Sequence, residues 1–186
     1  LAFGYPKRAP FFAGELAQLF ALGKAEPQLD ITQLKGSYAG AMGMGQFMPS
    51  SYRLWAKDGD GDGRRDLLTH KPDVFASIAN YFSVHGWQRG QPVVARAEKD
   101  PNLPEWTPPT VEPLHTLAAI EDKGYRPLRG EPRRDGATVI NFEGAAGREH
   151  WLGYGHFFVI PRYNRSPMYS LAVHQLAPAL RARADG

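Results

Sequence analysis

Between residues 58 and 66 the chain reads Asp58-Gly59-Asp60-Gly61-Asp62-Gly63-Arg64-Arg65-Asp66, with carboxylates at positions 1, 3, 5 and 9 of the run and glycine at position 6. Alternate-residue spacing lets a tight loop aim three carboxylates at one point, and a main-chain carbonyl, here that of Arg64, supplies a further oxygen. Three like charges this close repel one another unless a cation neutralises them. Calcium suits this donor set better than magnesium, which holds to octahedral sites that keep several waters. Position 12, usually a bidentate glutamate, is Thr69, and a lengthened loop hands that role to Asp73, the next carboxylate after Asp66. The expected ligands are therefore Asp58, Asp60, Asp62, the Arg64 carbonyl, Asp66 and Asp73 in a helix-loop-helix site of the EF-hand kind, with a structural ion pinning two helices together. A solvated acidic turn is the plainer alternative.

Just upstream, residues 36–52 carry no charge and little bulk: Gly36-Ser37-Tyr38-Ala39-Gly40-Ala41-Met42-Gly43-Met44-Gly45-Gln46-Phe47-Met48-Pro49-Ser50-Ser51-Tyr52. Backbone this bare can approach a ligand closely, and it can equally let helices pack tightly. It is not a phosphate loop, because the Lys-Ser/Thr ending is missing and no Val- and Ile-rich strand precedes it. A nucleophilic triad is poorly supported, since His70, His85, His115, His150, His156 and His174 are scattered with no motif joining any of them to a serine. The absence of cysteine excludes disulfides, thiolate metal sites and a cysteine nucleophile.

These segments need elements to hold them. Residues 10–24 place Phe12, Leu16, Leu19 and Phe20 at helical spacing behind Pro10, which predicts an amphipathic helix packing into a core. A second helix is expected from Pro49 through Tyr52 and Trp55, and a third from Pro72 through Val74, Phe75, Ile78 and Phe82 until Gly86, so the acidic loop lies between two helices. A fourth spans residues 112–123, and a fifth starts at Ser166-Pro167, burying Met168, Ala172 and Leu176 until Pro178 kinks or ends it. Residues 98–113, with five prolines, read as an extended connector. Thr138-Val139-Ile140-Asn141-Phe142, Trp151-Leu152 and Phe157-Phe158-Val159-Ile160 read as short strands, the first two about a glycine turn at residues 144–147. The expected class is mainly α, of the α+β kind, with a small antiparallel β insertion. The boundaries drawn are a helical core with the acidic loop at residues 1–97, a connector with short helix and β insertion at 98–160, and a C-terminal segment returning to the core at 161–186.

Composition narrows the partners. The 186 residues hold 22 Lys and Arg against 19 Asp and Glu, a net charge of +3 that gives no case for nucleic acid and suits any anionic polymer equally. The longest uncharged stretch, residues 36–52, is rich in glycine and shorter than the roughly 20 apolar residues of a transmembrane helix, so no spanning segment is expected. The chain opens Leu1-Ala2-Phe3-Gly4, with neither an initiator methionine nor the layout of a signal peptide, and reads as truncated or processed.

Taken in order, Tyr5-Pro6-Lys7-Arg8-Ala9, Gly14-Glu15-Leu16, Ser37 to Tyr52, the Asp58 loop, Ser77-Ile78-Ala79-Asn80-Tyr81-Phe82, His85-Gly86-Trp87, Arg162-Tyr163-Asn164-Arg165-Ser166 and Tyr169 span nearly the whole chain. Together they resemble the lytic transglycosylase B family of bacterial peptidoglycan-cleaving enzymes. The resemblance implies a lysozyme-like helical core with a deep groove and an EF-hand-like calcium loop. It also implies cleavage of the bond between N-acetylmuramic acid and N-acetylglucosamine, with the muramic acid's own 6-hydroxyl closing a 1,6-anhydro ring.

Carried over residue by residue, it places Ser37, Gln46 and Tyr81 beside the reacting sugars and Tyr163, Asn164 and Tyr169 on the far side, while Lys7 and Arg8 meet carboxylates of the muramyl group or its peptide. Tyrosine faces cover pyranose rings, and hydroxyls and amides bond their substituents. For the tyrosines ordinary packing is the alternative, and for Lys7 and Arg8 a solvated surface pair. The family's catalytic glutamate lies in a Gly-Val-Glu-Thr-like segment upstream of Tyr5, so no catalytic residue is expected within this chain. Glu15 is the tempting substitute, yet it matches the family's Gly-Glu-Leu helix rather than the catalytic motif. Glu143 and Glu149 lack groove-like polar neighbours. The implied partner is a peptidoglycan glycan strand, met by a monomer in the periplasm, with an outer-membrane anchor left to an N-terminal segment. A non-catalytic, calcium-stabilised peptidoglycan-binding module is the alternative, and a calcium-binding interaction protein is a third reading that leaves residues 36–52 unexplained.

Overall fold

A computed structural model describes residues 6–185; Tyr5, which opens the Tyr-Pro-Lys-Arg-Ala match, lies outside the described residues. The chain divides into two compact units, Leu1–Val84 and His85–Gly186.

In the first unit a 3-10 turn, Pro6–Arg8, leads into helix α1 (Ala9–Ala25), whose Pro10 stands in the first turn where its missing N–H costs nothing. Leu22 is the fully buried residue of α1, whereas Leu16 and Phe20, expected in the core, are 51% and 56% exposed. The helix carries apolar residues on several faces, including Phe11, Phe12, Leu19 and Leu22, so the spacing rule fits more than one stripe. Helices α2 (Pro49–Trp55) and α3 (Lys71–Val84) follow close to their expected bounds. Tyr52, Phe47, Met42, Leu67, Val74 and Tyr81 are buried with Leu22. Phe75 is exposed instead of packed.

The second unit is built on a four-stranded antiparallel sheet of order β2-β1-β4-β3, from β1 (Val94–Lys99), β2 (Tyr125–Pro127), β3 (Thr138–Gly144) and β4 (Gly147–Gly153). β3 and β4 pair from Thr138↔Gly153 to Gly144↔Gly147, so Ala145-Ala146 forms a two-residue hairpin tip with Gly147 at φ +113°. Ala95, Ala97, Val139 and Leu152 from the strands meet Ile120, Tyr125, Ala137 and Tyr154 in one buried cluster, with Trp106 and Leu117 against it.

Five expectations change here. The connector starts later than residue 98, because Glu98 and Lys99 close β1. The fourth helix shrinks to α4 (Leu117–Glu121), begun by Thr116, whose hydroxyl accepts from the Ala119 N–H at 3.2 Å, which leaves Leu114 exposed. Phe157-Phe158-Val159-Ile160 is not a strand but the middle of helix α5 (Gly155–Tyr163); a four-residue apolar run, here between His156 and Pro161, fits a buried helix as well as a strand. Helix α6 (Pro167–Ala184) buries Ser170 and Leu171 and leaves Met168, Ala172 and Leu176 exposed. Ser166 sets that phase, its Oγ accepting from Tyr169 and its carbonyl from Ser170. α6 also runs through Pro178, on a part of the helix where solvent can reach the carbonyl freed by the proline. Among the described residues no helix is long and apolar enough to cross a membrane.

Candidate functional site

The glycine-rich segment folds into two linked turns. Ser37 closes the first: its Oγ accepts from the N–H groups of Ala39 (3.3 Å) and Ala41 (3.1 Å), and its own N–H donates to the Ala41 carbonyl at 2.8 Å. The hydroxyl proton of Ser37, on an exposed residue, remains a donor. In the second turn Met42 and Phe47 exchange two main-chain hydrogen bonds, of 2.8 and 3.0 Å, and residues 43–46 form the tip. Gln46 is exposed and sits at φ +51°, a left-handed conformation that is uncommon outside glycine. Its N–H and its Nε2 both donate to the Gly43 carbonyl, at 3.1 and 2.9 Å, which pins the side chain and leaves the amide oxygen as an acceptor.

Tyr81 is buried behind this turn, edge-on to Trp55 (ring centroids 4.9 Å) and to Phe47 (6.0 Å). Ser37, Gln46 and Tyr81 are thus joined through one short segment, with Tyr81 set in an aromatic cluster. Lys7 and Arg8 are exposed on the 3-10 turn, and the Arg8 guanidinium lies over the rings of Phe11 and Phe12, 5.1 and 4.9 Å from their centroids. In the second unit Tyr163 ends α5, Asn164 caps it by donating its N–H to the Ile160 carbonyl at 3.3 Å, and Tyr169 stands in the first turn of α6.

Glu15 has a task that sequence reasoning missed. Its two carboxylate oxygens accept from the N–H of Ser50 (3.0 Å) and from the Ser50 hydroxyl (2.6 Å), satisfying a free donor at the start of α2. A Gly-Glu-Leu triplet on one helix and a Pro-Ser pair on another carry no local signal of meeting. Glu26 was missed in the same way: buried at the C-terminal end of α1, it pairs with Arg65 and accepts from Gln28 at 2.7 Å.

The acidic loop brings Asp58, Asp60 and Asp62 together, each offering an oxygen within 4.8 Å of the others. Asp60, His70 and Asp73 form a second such group. Asp58 accepts from Gly61 (2.6 Å) and Gly63 (2.8 Å), one N–H on each oxygen, and the Gly63 bond leads the interactions that hold its carboxyl below the usual range. Gly59 is obligatory, since a Cβ there would lie 2.3 Å from the Pro72 carbonyl. An all-oxygen set of converging carboxylates on a tightly curled loop fits a hard cation such as calcium.

The remaining predicted ligands are engaged with main chain. Asp66 accepts from Leu68 (2.7 Å), Thr69 (3.0 Å) and the Thr69 hydroxyl. Asp73, 1% exposed, accepts from Gly59 through one oxygen and from Asp66 through the other, both at 2.7 Å. It therefore ties the entry of the loop to its exit.

Comparison with known proteins decides the lineage. A family model described as the transglycosylase SLT domain matches residues 1–178. The chain belongs to this family. Within the transglycosylase SLT family it is 39% identical, over 181 residues, to membrane-bound lytic murein transglycosylase B of Escherichia coli (strain K12), covering 97% of this chain and 48% of that protein. The chain thus spans about half the length of the curated relative it matches. Among solved structures, catenated lytic transglycosylase SltB1 from Pseudomonas aeruginosa superposes with a TM-score of 0.89 at 44% identity, over 100% of this chain and 61% of that one. The Escherichia coli lytic transglycosylase Slt35 in complex with calcium superposes with a TM-score of 0.86 at 37% identity, over 98% and 57%. Mixed helix with a small antiparallel sheet is thus the lysozyme-like fold of this transglycosylase family.

Proposed function

We propose that the chain is the glycan-cleaving domain of a periplasmic lytic transglycosylase acting on peptidoglycan, and that residues 36–47 form the floor of its sugar groove. The observation that carries this reading is the pinned, exposed Gln46 on the same short segment as the exposed Ser37, with backbone too bare to obstruct a ring. Within the first unit Tyr81 supports this floor, and Lys7 and Arg8 meet the carboxylates of the muramyl group or its peptide; Tyr163, Asn164 and Tyr169 are the glycan-contacting residues proposed for the second unit. The bond cut joins N-acetylmuramic acid to N-acetylglucosamine. The glycosidic oxygen leaves with a proton from one carboxylic acid, the muramic acid's 6-hydroxyl bonds to its own anomeric carbon, and the same carboxylate takes that hydroxyl's proton. This differs from the two-carboxylate scheme of most glycosidases. Glu15 is ill placed for that acid–base work, with both oxygens held by Ser50, so the role falls to the glutamate of a Gly-Val-Glu-Thr-like segment outside these residues.

Incubation with purified sacculi, sedimentation and mass spectrometry of the released sugars tests the reading. The chain is expected to sediment with sacculi without releasing anhydromuramyl products, and Gln46→Ala or Tyr163→Ala to weaken binding about ten-fold with little change in stability. Released anhydro products would return the acid to a residue of this chain, Glu15 first. Loss of folding in both variants would assign these side chains to packing.

The acidic loop is proposed to hold a structural calcium ion through Asp58, Asp60 and Asp62 with the Arg64 carbonyl. Asp66 and Asp73 complete the proposed ligand set while also holding the loop's main chain. Calcium at a hundred times its Kd is expected to stabilise the chain by about 2.7 kcal/mol, seen as a raised melting temperature reversed by chelator. An unchanged melting temperature in millimolar calcium would remove the ion from this account.

A further inference from the structure

The acidic loop and the Gln46 turn touch main chain to main chain at Leu67. That residue is 1% exposed; it donates its N–H to Tyr52 Oη at 3.3 Å, and its carbonyl accepts from the Met44 N–H at 3.0 Å. Gly43, at φ +69°, crosses the same carbonyl so closely that a Cβ on it would lie 2.2 Å from the oxygen. Gly43 then offers its own carbonyl to both the N–H and the Nε2 of Gln46. On the other side of Leu67, the Asp66 N–H is held by Asp73, which also holds Gly59 within the acidic loop. Tyr52 braces the relay, since its hydroxyl donates to the Arg65 carbonyl while accepting from Leu67. A continuous run of hydrogen bonds and one close backbone contact therefore leads from the loop's first glycine to the Gln46 amide.

We propose that Leu67 is a positioning residue, its carbonyl seating the turn at residues 43–46, so that ion binding in the acidic loop orients the Gln46 amide for its glycan. The inference rests on the proposed ion and glycan roles of these two segments. Gln46 is held away from its preferred backbone conformation and needs a neighbour to over-determine it. Leu67 and Gly43 are that neighbour, and Leu67 lies on the exit segment of the loop the ion would tighten. Coupling of this kind is reciprocal, so glycan must tighten calcium by the same factor that calcium tightens glycan.

The test needs no catalysis. Calcium chloride is titrated into the 15N-labelled chain without sugar while the amides of Gly61, Gly63, Met44 and Gln46 and the Gln46 side-chain NH2 are followed by NMR. All five signals are expected to move with one midpoint. In Tyr52→Phe the loop glycines should still titrate, while the Gln46 response falls by about half or more. In a second arm, calcium is expected to tighten binding of the N-acetylglucosamine tetrasaccharide about five-fold in the parent chain and hardly at all in Tyr52→Phe.

Saturation of Gly61 and Gly63 with Met44 and Gln46 unmoved overturns the relay, as does an undiminished Gln46 response in Tyr52→Phe. Common movement without tetrasaccharide binding upholds the positioning of Gln46 and counts against the glycan reading instead. Loop glycines that ignore calcium overturn the ion assignment and the relay together.

Discussion

Replacing Asp73 with alanine is expected to destabilise the chain by about 3 kcal/mol, even in chelator, where no ion contributes. The carboxylate is almost wholly buried and accepts the N–H groups of Gly59 and Asp66, both at 2.7 Å. Truncation leaves two donors without partners and opens a cavity at the start of α3. Denaturant melts with and without calcium measure the effect. Asp73→Asn should recover part of the loss, because its single amide oxygen can still hold one of the two N–H groups. A variant as stable as the parent in chelator and weaker only with calcium would make Asp73 an ion ligand and nothing more.

Gly43→Ala is the second large effect, about 3 kcal/mol of stability together with loss of the Gln46 turn. Two penalties add at this position. An alanine at φ +69° adopts a backbone conformation that side chains resist, and its Cβ would press into the Leu67 carbonyl. Relief requires the exit of the acidic loop to move, so the Met44–Leu67 hydrogen bond breaks with it. Gly40→Ala is the fitting control: it too has positive φ, yet nothing lies within 4 Å of its Cβ, so only the backbone penalty remains. Equal losses from the two variants would mean that the contact with Leu67 is easily relaxed.

The legible parts of this protein were those whose signals are local. Pro49 opens α2 because proline suits a first helical turn, and Asp58 to Gly63 curl because alternate aspartates accept the following N–H groups. The hairpin at residues 138–153 was legible as two short strand-like runs, Thr138 to Phe142 and Trp151-Leu152, about a glycine turn. What stayed hidden depends on long-range partners. Nothing in the residues around Glu15 points to Ser50, 35 positions away, and nothing near Asp73 shows that its carboxylate faces Gly59 and Asp66 as main-chain donors. The phase of α6 was hidden for a different reason, since Met168, Ala172 and Leu176 make as regular a stripe as the one that is buried.

The same distinction holds for the candidate site. Residues 36–52 stood out by composition, and their membership of a transglycosylase family follows from the comparison. The conformation of Gln46 did not, because a positive φ at a non-glycine residue is imposed by its surroundings.

The proline-rich connector of the second unit carries a consequence of another kind. A terminal strand such as β3 exposes a row of unpaired main-chain groups on which a foreign strand can assemble. The connector fastens itself beside that row: the Thr110 carbonyl accepts from Thr138 Oγ1 at 3.2 Å, the Trp106 carbonyl from Asn141 Nδ2 at 3.0 Å, and His115 bridges to Ala137. Pro104, Pro108, Pro109 and Pro113 interrupt its own donors, so the strap cannot readily become a new strand in its turn. A segment that reads as a mere spacer thereby works as a guard against aggregation at the sheet's margin.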